Sequence, residues 1–171
     1  MKFIVPFACF LLFFTDIHAQ SLKPGFDAAE YRQLMYISAR AGTDSSYANK
    51  FPMPESFRFV YQSPVVGLDN LWNLWTNPGQ QAVINIRGTT RQTISWTENF
   101  YSAIVPSHGS LQIWENIRFN YHLADDNKAS VHTGWLLGMA FLSNDILPKI
   151  DSLYKTGIKN FYVVGHSQGG A

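Results

Sequence analysis

Cysteine is nearly missing from this chain: Cys9 is the only one among 171 residues. A disulfide framework is therefore excluded as the source of stability. Charge of one sign is missing too. Thirteen Lys and Arg against 12 Asp and Glu leave a formal net charge of +1, which gives no basic patch and argues against nucleic acid as a partner. No His/Cys/Asp/Glu cluster has metal-ligand spacing, so neither a catalytic metal nor another cofactor is expected. No low-complexity stretch, internal repeat or Pro/Gly-rich linker divides the chain, which argues for one domain. Beyond the first residues there is no apolar run long enough to cross a bilayer.

What is present is globular in character, with 46% hydrophobic residues. The 15% aromatic share suits a filled core or a surface that meets apolar substrate, and composition alone does not separate the two. Lys2 followed by an apolar stretch over residues 3–14, with Ala19 before Gln20, reads as a secretory signal peptide over residues 1–19. The competing reading is an N-terminal membrane anchor, for which the stretch is short. Cys9 lies inside this segment. The expected product is secreted or periplasmic, with residues 20–171 as its folded domain and no stable transmembrane anchor.

Along that domain, Asp27 with Glu30 three residues later predicts a helix start. Tyr31, Leu34, Met35 and Ser38 continue at helical spacing, and Gly42 is the expected C-cap. Residues 57–61 alternate like a strand. Residues 69–76 and 81–86 predict an antiparallel hairpin around the turn at Asn77-Pro78-Gly79-Gln80. A short strand is expected at 119–123 and a solvated turn at 125–128. Residues 134–154 carry helical spacing, with Pro148 expected to kink or divide the run. Gly157 should end it.

The most informative segment comes last. Asn160-Phe161-Tyr162-Val163-Val164 reads as a strand, and Gly165-His166-Ser167-Gln168-Gly169 follows it directly. A G-x-S-x-G sequence between a strand and a helix predicts a sharp turn that exposes the serine hydroxyl at the top of an α/β-hydrolase sheet. Gly165 and Gly169 have no Cβ to obstruct it. Ser167 is the expected nucleophile, and the main-chain N–H of Gln168 one oxyanion donor. The other donor should come from Arg87-Gly88-Thr89, which ends the 81–86 strand; Thr89 offers both its N–H and its hydroxyl. The same glycine-rich run lacks the Lys-Ser/Thr ending of a phosphate loop. In this fold the triad's acid and histidine follow the serine in chain order. The expectation is thus an α/β fold, the N-terminal part of an α/β hydrolase, ending at the nucleophile elbow. The missing acid and histidine are expected beyond Ala171, and the 171 residues alone should be inactive.

Residues 82–89, Trp96, Val131-His132-Thr133-Gly134-Trp135 and residues 162–171 stand in an order and spacing that resemble the lipase class 3 family. The resemblance runs from about Phe57 onward. It implies a secreted triacylglycerol lipase or related carboxylester hydrolase acting on lipid or another ester at a lipid–water interface. Ser167 resembles the family's nucleophile, Thr89 its oxyanion Ser/Thr, and Gln168 stands at its second oxyanion position. Residues 90–100, with Ile94, Trp96 and Phe100, lie where the family has its lid. Departures are visible. Residues 100–130 are longer than in compact fungal members. Glu98 and Asn99 occupy a stretch where an Asp is common. Gln168 replaces a commoner leucine, a change expected to matter little because the main chain does the work.

Other readings stay open. One is a different serine hydrolase on this fold, such as a feruloyl esterase or peptidase. Another is a non-catalytic remnant that only binds lipid. His166 and His132 are read as structural, since the base comes later in the chain. His108 and His122 are read as surface residues. Trp72, Trp75, Trp114 and Trp135 are read as core or sheet-face residues, and Arg87 as an anchor for the oxyanion loop.

Overall fold

The computed structural model describes residues 25–42, 45–101 and 103–171. The signal-peptide reading and Cys9 lie outside the described residues. The elements are α1 (Ala28–Ser38), α2 (Ser45–Ala48), β1 (Arg58–Gln62), β2 (Trp72–Thr76), β3 (Gln81–Ile86), α3 (Thr93–Phe100), β4 (Ile104–Pro106), β5 (His108–Trp114), β6 (Ile117–His122), β7 (Ser130–His132), α4 (Thr133–Lys155) and β8 (Asn160–Gly165). A single 3-10 turn, Ser167–Gly170, follows β8.

The main sheet has the order β1-β2-β3-β8. The β2–β3 hairpin is antiparallel, with Trp72 opposite Ile86 and Thr76 opposite Ala82. β8 then pairs parallel to β3, Gln81 opposite Asn160 through Ile86 opposite Gly165. A parallel partner requires a long crossover, and α4 supplies it.

Alternation along β3 sets the layers. Ala82 and Ile84 join Trp72, Leu74, Leu142 and Ile146 in a core between the sheet and α4. Val83 points the other way and joins Trp75, Phe57 and Ile37 under α1. The sheet is thus covered on both faces, as an α/β architecture requires. Trp72 is fully buried and its indole N–H donates to Asp145 on α4 at 2.7 Å. Removing such a side chain costs about 3–5 kcal/mol.

The α1 face carries buried amides as well. Asn85 Nδ2 donates to the Ile37 carbonyl at 2.7 Å and Asn73 Nδ2 to the Arg40 carbonyl at 2.9 Å. The Ile37 carbonyl already accepts the Arg40 N–H at 2.9 Å, and the sheet amides add a second bond there and one to the turn just after α1. At the other end Asp27 caps α1 by accepting from the N–H groups of Ala29 and Glu30. Glu30 does not close the capping box: its carboxylate accepts from the Tyr162 hydroxyl on β8. Burial first, then this carboxylate, pushes the Tyr162 phenol well up from its ordinary value.

Several boundaries differ from the sequence reading. α1 ends at Ser38 with Ala39 as C-cap, ahead of Gly42. β2 begins at Trp72, because Asp69 turns the chain at φ 63° instead of extending it. α4 runs undivided through Pro148. It ends where expected. Gly157 takes φ 105°, its N–H bonds to the Tyr154 carbonyl, and the Ile158 N–H reaches the Leu153 carbonyl, a Schellman closure. The expected strand at 119–123 is half of a β5–β6 hairpin, and β4 pairs with β7 at the foot of α4. Trp72 and Trp75 are core, but Trp114 and Trp135 are 64% and 40% exposed. His122 is exposed as expected, whereas His108 is half-buried.

Candidate active site

β8 ends at Gly165 and the chain reverses at Ser167, which holds φ 57°. A non-glycine residue in this region stores strain and persists only where its surroundings fix it. The surroundings are backbone on backbone. A Cβ on Gly165 would lie 1.9 Å from the Gly169 carbonyl oxygen. One on Gly169 would lie 2.4 Å from the Ile86 oxygen, and one on Gly88 would lie 2.4 Å from the His166 oxygen. The turn after β8 and the loop after β3 are therefore wedged together, and Ser167 emerges exposed between them.

The sequence-predicted residues Ser167, Gln168, Gly165, Gly169 and Thr89 are brought together here. Thr89 Oγ1 donates to Gln168 Oε1 at 2.8 Å. Among the described residues, neither the Thr89 N–H nor the Gln168 N–H has an acceptor, so both remain available. Arg87 anchors the loop as read, by an ion pair of 3.1 Å with Asp69. Asp69 also accepts from the Thr90 hydroxyl. One carboxylate thus holds both sides of Gly88 and Thr89, a role the sequence reading missed.

Residues Ile94, Trp96 and Phe100 lie on the outer side of α3, 50%, 47% and 74% exposed, with the two rings stacked at 6.0 Å. The inner side buries Ser95 and Glu98. Glu98 packs against α4 where Gly134 and Gly138 leave room: a Cβ at Gly134 would lie 1.9 Å from its carbonyl oxygen, and one at Gly138 2.1 Å from its carboxylate. Burial pushes the Glu98 carboxyl up from its ordinary value, offset in part by the amides of Gln168 and Asn70 and by His132. Asn70 Nδ2 donates to it at 3.0 Å. The next residue, Asn99, donates from Nδ2 to Thr89 Oγ1 at 2.9 Å and accepts from the Trp135 indole at 3.1 Å. Glu98 and Asn99 stood out in the sequence as adjacent polar residues in an aromatic segment, but not as parts of this network.

His132 caps α4, accepting the Trp135 N–H on its ring. His166 is exposed and makes no side-chain cap. Neither is hydrogen-bonded to Ser167 among the described residues. An open cleft of about 710 Å³ between α4 and β8 reaches Glu98 and Gln168, but Ser167 does not line it. No group of three or more described His, Cys, Asp or Glu could hold a metal ion.

Strand order, the parallel β3–β8 pair and the strained turn after β8 define an α/β-hydrolase fold. The chain belongs to the lipase class 3 family, whose model, Lipase (class 3), matches residues 83–171. Among solved structures, a fungal lipase in an inhibitor complex is similar with TM-score 0.58 and 14% identity, covering 84% of this chain and 52% of that one. The Rhizomucor miehei triacylglyceride lipase gives TM-score 0.54 at 15% identity, with 84% and 52% covered. A lipase from Rhizopus microsporus var. chinensis gives 0.52 at 17%, with 84% and 48% covered. The chain thus spans about half the length of these lipases. No curated protein matches it in sequence.

Proposed function

We propose that this chain carries the nucleophile and oxyanion donors of a secreted serine carboxylester hydrolase, a triacylglycerol lipase. The observation that supports it most is the exposed Ser167 at φ 57°, beside two main-chain N–H groups without acceptors among the described residues. In the reaction, Ser167 Oγ attacks the ester carbonyl carbon and its proton passes to a histidine. The carbonyl electron pair moves onto oxygen, where the N–H groups of Thr89 and Gln168 receive it; such donors are each worth about 10²–10³ in rate. Collapse expels the alcohol, which takes the proton from histidine. Water then repeats the sequence on the acyl-enzyme and releases the acid.

The histidine and its acidic partner are read as belonging to a longer protein than these 171 residues, since the chain matches about half of its structural relatives. The 171 residues alone are expected to be inactive, because even one missing triad member costs several powers of ten and here both the histidine and the acid are wanting. The outer side of α3, with Ile94, Trp96 and Phe100, is proposed as a lid that meets the lipid surface. No described helix is long and apolar enough to cross a membrane, and export through the signal peptide over residues 1–19 belongs to the same proposal.

The test is hydrolysis by the full-length protein of emulsified long-chain triacylglycerol, a soluble short-chain ester and a peptide. Ester turnover that vanishes in Ser167→Ala supports the reading, and preference for the emulsion supports a lipase. Peptide cleavage alone, or ester turnover that survives Ser167→Ala, overturns it.

A further inference from the structure

We propose that Gln168 acts through its side chain as well as its main chain: its amide oxygen is a positioning group that holds the Thr89 hydroxyl and so fixes the oxyanion loop against the elbow. This rests on the oxyanion role proposed above for Thr89 and Gln168. The geometry carries it. A threonine hydroxyl has one proton to give and can also accept. Asn99 Nδ2 donates to Thr89 Oγ1 at 2.9 Å, so the hydroxyl proton must point elsewhere. Gln168 Oε1 lies 2.8 Å away and takes it, and Asn99 Nδ2 also reaches that oxygen at 3.4 Å. The three side chains come from α3, the loop after β3 and the turn after β8, and each such bond polarises the next. Asn99 is itself held by the Trp135 indole at 3.1 Å.

The Thr89 hydroxyl is occupied in the free protein, so the oxyanion donors at rest are the N–H groups of Thr89 and Gln168. Replacing Gln168 need not unfold the protein, because its Nε2 only faces the Glu98 carboxyl and makes no hydrogen bond of good geometry among the described residues.

The experiment measures the rate at which a fluorophosphonate labels Ser167 in the full-length protein. In this reaction the serine oxygen bonds to phosphorus, fluoride leaves, and the hydroxyl proton goes to the base. Thr89→Val and Gln168→Leu should each slow labelling about tenfold, the worth of one oriented hydrogen bond. The effects should be less than additive in the double variant, because both single variants remove the Thr89–Gln168 bond, while each also frees Asn99 from one partner. Gln168→Met serves as the second probe if Gln168→Leu does not fold, and thermal melting of each variant separates a rate effect from lost structure. Wild-type rates for both Gln168 variants overturn the assignment alone, as does an undiminished Gln168→Leu effect in the Thr89→Val background. No labelling of the wild type, matching Ser167→Ala, overturns the functional reading and this assignment with it.

Discussion

The elbow and α3 stand side by side and are built in opposite ways. At the elbow, carbonyl oxygens of Ile86, His166 and Gly169 approach within 2.4 Å of where a methyl group would be, and one hydroxyl is left exposed. On α3 the inner side is as tight, with Glu98 against Gly134 and Gly138, but the outer side presents Ile94, Trp96 and Phe100 to solvent. The difference matches the roles proposed for each. A nucleophile needs a fixed position, and close-packed backbone provides it. A surface that meets lipid needs apolar area free of internal partners. α3 joins the two demands, since Asn99 reaches from it to Thr89.

The sharpest way to break the comparison is at the glycines. Gly165→Ala sets a Cβ 1.9 Å from the Gly169 oxygen and should destabilise the protein by about 3 kcal/mol, read by denaturant unfolding. Gly138→Ala presses on the Glu98 carboxylate, a side chain with some freedom. It should cost less, about 1–2 kcal/mol by the same measurement. A cost near zero at both would mean that neither junction is as tight as described.

Burial raises the Glu98 carboxyl above its ordinary value. The folded state then binds this proton more tightly than the unfolded one, so the contribution is present below the ordinary value and is lost as pH rises through the folded one. Stability should therefore fall across that window in the wild type. Glu98→Gln, which keeps the size and an acceptor for Asn70, should flatten the slope. An unchanged slope in thermal melts across that range would show that Glu98 does not cause it.

The smallest stability effect should come from the outer side of α3. Trp96→Ser with Phe100→Ser removes two exposed rings and should change unfolding free energy by no more than about 0.5 kcal/mol per site. The full-length protein should still lose turnover of emulsified triacylglycerol while keeping that of a soluble ester. Equal loss on both substrates would remove the lid proposal.

What the sequence made legible was mostly local. The β2–β3 hairpin was visible in Asn77-Pro78-Gly79-Gln80, the end of α4 in Gly157, and the elbow in Gly165 and Gly169, because each depends on neighbours in the chain. Asp69 does not extend β2 as its neighbours suggest: its left-handed turn is fixed by Arg87 and Thr90, 18 and 21 residues away. The β5–β6 hairpin was half seen, since its strands alternate between exposed and half-buried residues without a core to sharpen the pattern. The Gln168 side chain was set aside as inconsequential. Its partner Thr89 lies 79 residues away, and no local periodicity announces such a pair.

The central claim is that the left-handed turn after β8 presents one serine hydroxyl for acyl transfer. Mapping a fluorophosphonate adduct on the full-length protein by peptide mass spectrometry tests it most directly. The account predicts a single adduct, on Ser167, that disappears in Ser167→Ala. An adduct on another residue that persists in that variant, or no adduct at all, would contradict it.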